Sequence, residues 1–291
     1  MKLRTLLDLA RISNLPTVWS NVLAGAMLGS KAAGVLPVVV AGLSGSLLYS
    51  GGMLLNDAFD AEIDARERPE RPIPSGRIGR TTVLGLGFGM LALSLGVLAV
   101  FASSASAMAG VAVALFVIVY DRWHKGIAWS PVVMGCCRAG LYAMGALAVS
   151  SGLGEAVLLP GASLLLYVVG LTHVARFENT SAVGRTWPTL FLFAPATVVV
   201  LTADWSRNLG ELGVLLVVLA AHVAWTARSL VIALQGGKGA IPRAVVTLIA
   251  GISLVDAGFI ALARAREVSG IAAAGAAFGL TLFLQRWVRG T

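Results

Sequence analysis

The sequence predicts an all-α fold, a polytopic membrane bundle of about nine or ten transmembrane helices. Of its 291 residues, 57% are hydrophobic and only 12% are charged, whereas soluble domains carry about 25% charged residues. Several windows reach the roughly 17–25 apolar residues that cross a bilayer. Backbone groups in lipid must be paired internally, so we expect each of these windows to be a helix. The 34 glycines suit close packing between such helices.

Ten spans are predicted, separated by short polar connections. They cover 15–31, 36–56, 82–102, 105–120, 130–150, 156–175, 187–203, 209–230, 243–262 and 269–287. The last two are rich in Gly and Ala, so nine full spans and one re-entrant segment are the alternative. We expect the whole chain, 1–291, to form a single domain.

The distribution of basic residues predicts the orientation of the bundle. Most of the 22 Lys and Arg residues lie before the first span or in alternate connections, beginning with the one after the second span. The positive-inside rule assigns these segments to the cytoplasm. We therefore expect a multi-pass protein of the inner (plasma) membrane with its active site facing the cytoplasm. The net charge of +8 then reflects topology, and no nucleic-acid partner is expected because no soluble basic domain is present.

A ladder of acidic residues follows the second span, in the segment NDAFDAEIDARERPERPIPSGRIGR. Asp57, Asp60 and Asp64 are spaced i, i+3 and i+7, and Asn56 precedes Asp60 by four residues, so a helix would present them on one face. Carboxylates stacked in this way repel each other unless a cation lies among them, and Mg²⁺ prefers oxygen ligands. The spacing favours a divalent cation site. A solvated helix end is the alternative.

The spacing Asn56-Asp57-x-x-Asp60-x-x-x-Asp64 resembles the NDxxDxxxD signature of the UbiA superfamily of intramembrane prenyltransferases, and ERPIPSGR at 70–77 resembles the loop that follows it. The resemblance implies a helical bundle around a central cavity. It also implies a Mg²⁺-bound prenyl diphosphate that ionises and is joined to an aromatic or other lipophilic acceptor within membrane lipid. In that scheme Asp57, Asp60 and Asp64 are both metal ligands and catalytic residues, while Asn56 and Arg71 bind substrate.

Three further residues resemble substrate-binding positions of the family. Tyr120 and Lys125 lie at the end of the fourth span in YDRWHKG and are similar to a Tyr/Lys pair near the diphosphate. An interfacial aromatic and a topology-determining lysine are the alternative. Asn21 resembles a polar residue of the family's first span, although an interhelical hydrogen bond explains it equally well.

The second acidic motif of the family, DxxxDxxxGxxT, is altered in this chain. Arg176 and Thr180 stand at its two aspartate positions, and Glu178 is the carboxylate that remains. Arginine cannot coordinate Mg²⁺ but can hold phosphate oxygens with two hydrogen bonds. We therefore expect Arg176 and Glu178 to bind substrate beside a single Mg²⁺. Pairing of Glu178 with Arg176 or Arg185 is the alternative.

Arg138 lies about 12 Å inside the fifth span, at 1.5 Å per residue. An ionisable residue at this depth is costly and is expected to face an interior cavity and a partner. Glu178, an aspartate of the first motif and an anionic ligand are the candidate partners, and Arg138 is assigned to substrate binding. Purely structural pairing is the alternative. These departures indicate an atypical branch of the superfamily, similar to the UbiA-like EboC proteins. A non-catalytic protein that binds or translocates a lipid or secondary metabolite is the alternative function.

Overall fold

The computed structural model describes residues 3–32, 34–124, 127–177, 184, 186–237, 239–288 and 290. Within these ranges the chain is an all-helical bundle without strands, as predicted. The helices are α1 (Leu3–Leu9), α2 (Leu15–Gly29), α3 (Val35–Phe59), α4 (Ala61–Glu67), α5 (Arg80–Phe101), α6 (Ser104–Trp123), α7 (Ser130–Val149), α8 (Glu155–Ala175), α9 (Ala194–Thr202), α10 (Leu209–Gln235), α11 (Ala240–Arg264) and α12 (Val268–Leu284). Short 3₁₀ segments cover Ile12–Asn14 and Trp187–Phe193.

Every predicted span is helical in the structure, but three are short. Among the described residues, α3, α5, α6, α7, α8, α10 and α11 are long and apolar enough to cross a membrane. By contrast α2 has 15 residues, α12 has 17, and the segment Trp187–Thr202 is a 3₁₀ turn continued by α9. Seven of the ten predicted spans are therefore long enough to cross a membrane as single α-helices, and the other three are shorter.

The centre of the bundle is formed by α11, α2 and α7. Within the apolar window of α11, 72% of residues are buried, compared with 22% for α10, so α10 lies at the periphery. The central helices carry buried polar side chains on the faces they share, where hydrogen bonds can be formed without water. The cavity described below is lined by α7 and α11 together with α3, α6 and α8.

Contact between α2 and α7 depends on two glycines. A Cβ atom built at Gly25 would lie 2.2 Å from the carbonyl oxygen of Tyr142, and one at Gly145 would lie 2.2 Å from that of Val22. Both obstacles are backbone atoms that cannot rotate away. Small residues allow this approach of two membrane helices, as the glycine content predicts.

Gly25→Ala and Gly145→Ala are therefore expected to destabilise the bundle by about 1–3 kcal/mol each, as overpacking does. Gly89→Ala on α5 is the matched control, since a Cβ there meets nothing within 4 Å, and it should be neutral or slightly stabilising because alanine is the better helix former. Unfolding of the three variants in one detergent measures this difference. Equal stability of Gly25→Ala and Gly89→Ala would contradict the packing argument.

Candidate active site

A cavity of about 640 Å³ opens at the end of the bundle where α3 and α6 end and α7 begins. Its mouth is polar and its interior is apolar. The polar lining includes Arg11, Asn56, Asp60, Asp64, Arg71, Tyr120, Asp121, His124, Ser130, Arg138 and Arg176, and the apolar lining includes Leu48, Val113, Val117, Met134, Leu141, Val168, Leu171, Val245 and Ile252. The volume lies in the range of small-molecule sites.

The acidic ladder divides at the helix break between α3 and α4. Asp60 lies between the two helices and Asp64 is on α4, while the bonds from Asp60 N to Asn56 O and from Asp64 N to Asp60 O continue the helical turn. Asn56, Asp60 and Asp64 line the large cavity. Asp57 lines a smaller neighbouring cavity instead. The structure therefore brings three of the four ladder residues together and turns Asp57 to the other side.

Arg71 connects the two sides of the ladder. Its Nη1 donates to Asp64 Oδ2 at 2.8 Å and to Asp57 Oδ1 at 3.3 Å, and Arg11 approaches Asp57 to 3.5 Å. The loop at 70–77 thus folds back onto the motif that precedes it. These guanidinium groups offset part of the repulsion between the carboxylates.

Asp121 and His124 belong to the mouth, although neither was assigned to the site from the sequence. Asp121 is only 4% exposed, and its Oδ1 accepts a hydrogen bond from Asn56 Nδ2 at 3.2 Å. Within the described residues its Oδ2 has no hydrogen-bond partner. His124 Nε2 lies 3.6 Å from Asp60 Oδ2. The signal was available in YDRWHKG, where Asp121 directly follows Tyr120.

Tyr120 and Arg176, which the resemblance assigned to substrate binding, both line the cavity. The ring of Tyr120 stacks on that of His124, with centroids 4.8 Å apart. Arg176 Nη2 donates to Ser130 Oγ at 2.7 Å and to the carbonyl oxygens of Ile127 and Ala128. One end of its guanidinium therefore ties α8 to the connection before α7.

Two predicted substrate-binding residues, Lys125 and Glu178, lie outside the described residues. Thr180 and Arg185 of the altered second motif do as well.

Arg138 is held by a polar network that the sequence did not reveal. Its Nη1 donates to Thr17 Oγ1 and Asn21 Oδ1, both at 3.0 Å. Asn21 Nδ2 in turn donates to both carboxylate oxygens of Asp256 at 2.9 Å, and Tyr142 donates its hydroxyl proton to the same carboxylate. The carboxylate of this network, Asp256 on α11, was not among the candidate partners named from the sequence.

Asn21 was assigned to substrate binding, but it is not part of the cavity lining. It is completely buried and connects Arg138 with Asp256, whereas the cavity wall at this position is formed by Arg138 itself. The interhelical hydrogen bond, which the sequence left as an alternative, is therefore what the structure shows. Asn21 can influence a ligand only by positioning Arg138.

The mouth offers oxygen ligands for a magnesium ion. Asn56, Asp60, Asp64 and Asp121 supply amide and carboxylate oxygens, and the buried Oδ2 of Asp121 lacks a partner among the described residues. No three His, Cys, Asp or Glu side chains in the described ranges are grouped closely enough to hold a metal by themselves. The residues fit an ion that takes its remaining ligands from water or phosphate, as Mg²⁺ usually does.

Fold and site together define a class: membrane-embedded helical proteins with a polar, carboxylate-bearing mouth above an apolar cavity. The model of the UbiA prenyltransferase family matches residues 14–269, so this chain belongs to that family. The match confirms the family that the first motif and the 70–77 loop indicated. The finer placement near EboC-like proteins stays a prediction.

Curated relatives match over shorter segments. The chain is 41% identical over 92 residues to a digeranylgeranylglyceryl phosphate synthase from Ignicoccus hospitalis, which is 32% of this chain and 30% of that protein. It is 36% identical over 96 residues to protoheme IX farnesyltransferase 1 from Cenarchaeum symbiosum, 32% of each chain. The matches thus span about a third of the length of these relatives.

Solved structures share the fold over nearly the whole chain. A UbiA homolog from Archaeoglobus fulgidus, bound to DMAPP and Mg²⁺, superposes with a TM-score of 0.63 at 13% identity and covers 92% of this chain and 99% of that one. A structure of digeranylgeranylglyceryl phosphate synthase gives a TM-score of 0.59 at 21% identity, covering 90% and 98%. Identity this low supports the common architecture alone.

Proposed function

We propose that this protein transfers a prenyl group from a prenyl diphosphate to a lipophilic acceptor within the membrane, in a Mg²⁺-dependent reaction. The observation that carries the proposal is the convergence of Asn56, Asp60, Asp64 and Asp121 at the mouth of a cavity whose interior is apolar. An ionic head and a hydrocarbon tail fit such a site together. Family relatives named as prenyltransferases, and a family structure described as bound to GPP and Mg²⁺, support it.

The residues of the mouth suit binding of a diphosphate. Arg71 uses Nη1 for the aspartates and Arg176 uses Nη2 for the α6–α7 connection, so each guanidinium has further N–H groups for phosphate oxygens. A bound Mg²⁺ would stabilise the negative charge that develops on the departing diphosphate. Asp57 and Arg11 hold Arg71 and the ladder in position from the adjacent cavity.

The apolar interior would protect the reacting centre from water. Leu141, Val168 and Ile252 from α7, α8 and α11 form part of its wall and offer no group that can capture an allylic cation. A dry cavity also strengthens the electrostatic effect of the charged mouth. The resemblance suggested an aromatic acceptor, whereas the names of several relatives suggest a glycerol phosphate lipid. The experiment below compares these two acceptor classes.

A non-catalytic role in lipid or metabolite binding is the second candidate function. It is favoured by the salt bridge from Arg71 to Asp64, 2.8 Å long, because a guanidinium already compensates a carboxylate that a metal would otherwise use. Replacement of the second motif's aspartates by Arg176 and Thr180 points the same way.

The test is incubation of the purified protein with prenyl diphosphates of increasing chain length, Mg²⁺, and aromatic or glycerol phosphate acceptors. Diphosphate release and a prenylated product are expected, and both should stop when EDTA is added. Direct binding of the same donors is measured in parallel. If the donors bind tightly in the presence of Mg²⁺ but none of them gives diphosphate release or a prenylated product, the protein is a binding protein and the proposed enzymatic function is wrong.

A further inference from the structure

We infer that the smaller cavity beside the mouth binds a phosphate group, at a site separate from the one proposed for the prenyl diphosphate. This cavity has a volume of about 360 Å³. Its charged lining consists of Arg4, Arg11, Arg71, Arg77, Asp8 and Asp57. The inference goes beyond the proposed prenyl transfer and does not depend on it.

Positive charge exceeds negative charge in the smaller cavity. Four arginines face two aspartates, and Asp57 is already paired with Arg11 at 3.5 Å and with Arg71 at 3.3 Å. A cleft lined by charges of one sign attracts ions of the opposite sign. A phosphate group fits such a cleft well, because its oxygens accept two parallel hydrogen bonds from one guanidinium.

Two of the arginines have N–H donors left for a ligand. No hydrogen bond or ion pair joins Arg4 to another described residue. Arg77 donates from Nε to Ser75 Oγ at 2.9 Å and from Nη2 to the carbonyl oxygen of Glu70, which leaves Nη1 without a partner in the described ranges. Each guanidinium has five N–H donors. Neither arginine lines the central cavity, so these donors are available only to the smaller one.

The backbone at Arg11 also indicates a ligand site. Its φ angle is 44°, the only positive φ of a non-glycine residue in the described part of the chain. This conformation is uncommon for residues with a side chain, and where it is retained it is often at a ligand site. Arg11 lines both cavities, so the unusual backbone places its side chain where the two adjoin.

The smaller cavity lies at the level expected for the membrane surface. Trp287, which follows α12, contributes to its lining and is 69% exposed. Trp123 at the end of α6 and Trp129 directly before α7 are exposed at the same end of the bundle. Tryptophan is enriched where a bilayer meets water. Lipid phosphates lie at this level, and basic pockets between membrane helices bind lipid head groups.

Two sources can present a phosphate group here: the head group of a lipid and free phosphate from the aqueous phase. Pro72 and Trp287 offer apolar surface beside the arginines. The glycerol backbone of a lipid can cover this surface, whereas inorganic phosphate cannot. We therefore expect the lipid to bind more tightly, and the experiment measures both sources.

Titration calorimetry in one nonionic detergent tests the site in the absence of Mg²⁺ and prenyl diphosphate. The probes are inorganic phosphate, dihexanoyl phosphatidic acid and dihexanoylglycerol, which lacks the phosphate group. We expect wild type to bind the phosphatidic acid at least about 10-fold more tightly than dihexanoylglycerol. Tighter binding of the phosphatidic acid than of inorganic phosphate identifies a lipid head group as the ligand, and equal or weaker binding identifies free phosphate.

Arginine variants assign the binding to one cavity. The double variant with Arg4→Gln and Arg77→Gln should bind the phosphatidic acid at least about 10-fold more weakly than wild type. If the double variant does not fold, Arg4→Gln alone should weaken binding by about 3-fold, since Arg4 is exposed. Arg66→Gln is the matched control, because Arg66 is an exposed arginine of α4 outside the lining of both cavities, and it should leave the affinity unchanged.

Three results would overturn the inference. The first is equal affinity of wild type for the phosphatidic acid and for dihexanoylglycerol, and the second is an unchanged affinity in the Arg4 and Arg77 variants. The third is a loss of affinity that appears in Arg176→Gln instead, because Arg176 lines only the central cavity. Since no reaction is measured, a failure to observe prenyl transfer would leave the outcome of this experiment intact.

Discussion

Asp60→Ala is expected to lower Mg²⁺-dependent diphosphate release from a prenyl diphosphate by at least about 100-fold while the protein remains folded. Asp60 lies at the mouth of the cavity, at the junction of α3 and α4, and belongs to the oxygen set that fits magnesium. Loss of one ligand weakens metal binding and the charge stabilisation that depends on it. Release is measured at several Mg²⁺ concentrations, because a weakened ion site should be partly restored by excess metal.

Asp57→Ala is the matched control, since it removes a carboxylate from the same ladder. Asp57 faces the smaller cavity and contacts Arg11 and Arg71. Its removal should therefore lower diphosphate release far less than the removal of Asp60 does, and it should not raise the Mg²⁺ concentration that the reaction needs. Both variants are compared with wild type by thermal unfolding to exclude a folding defect. Equal losses in the two variants would show that the ladder acts as one unit, as the sequence alone suggested.

Asp256→Leu is expected to destabilise the bundle by at least about 3 kcal/mol. Asp256 is completely buried and accepts hydrogen bonds from Asn21 and Tyr142. Each buried donor that loses its acceptor costs about 1–3 kcal/mol, and the charge of Arg138 loses its nearest known compensation in this network. Unfolding by detergent denaturation measures the loss.

Asp256→Asn, which keeps the shape and one acceptor, should cost less than Asp256→Leu. Asp204→Asn is the surface control: Asp204 is exposed and bonds only Ser206 among the described residues, so no loss beyond about 0.5 kcal/mol is expected. The idea of a stabilising network would fail if Asp256→Leu were as stable as Asp204→Asn.

The first motif shows how far local spacing can predict a site. The i, i+4 relation of Asn56 and Asp60 was sufficient to predict that they share a face, and both line the cavity. Asp57 was placed with them because it is one turn from Asp60. Asp57 instead lines the smaller cavity, where it contacts Arg11 and Arg71, and helical periodicity does not predict these contacts.

The polar network around Arg138 shows the opposite case, in which local spacing cannot predict the contacts. A charged residue inside a span predicts a partner, and Arg138 has one, but the partner lies more than a hundred residues away on α11 through Asn21. Helix periodicity is local, and a single sequence carries no information about which faces of distant helices meet. Asp256 was therefore left out although its own position in an apolar span is equally unusual.

The sequence by itself determined the all-helical membrane bundle, the order of its spans, the family and the first motif, because hydropathy and residue spacing act within one helix at a time. The tertiary structure alone decided which side chains share the mouth, that Asp121 and His124 join it, and that Arg138 is held deep in the cavity by α2 and α11. These contacts depend on how separate helices pack, and close approaches such as that of Gly25 to Tyr142 are set by the whole bundle.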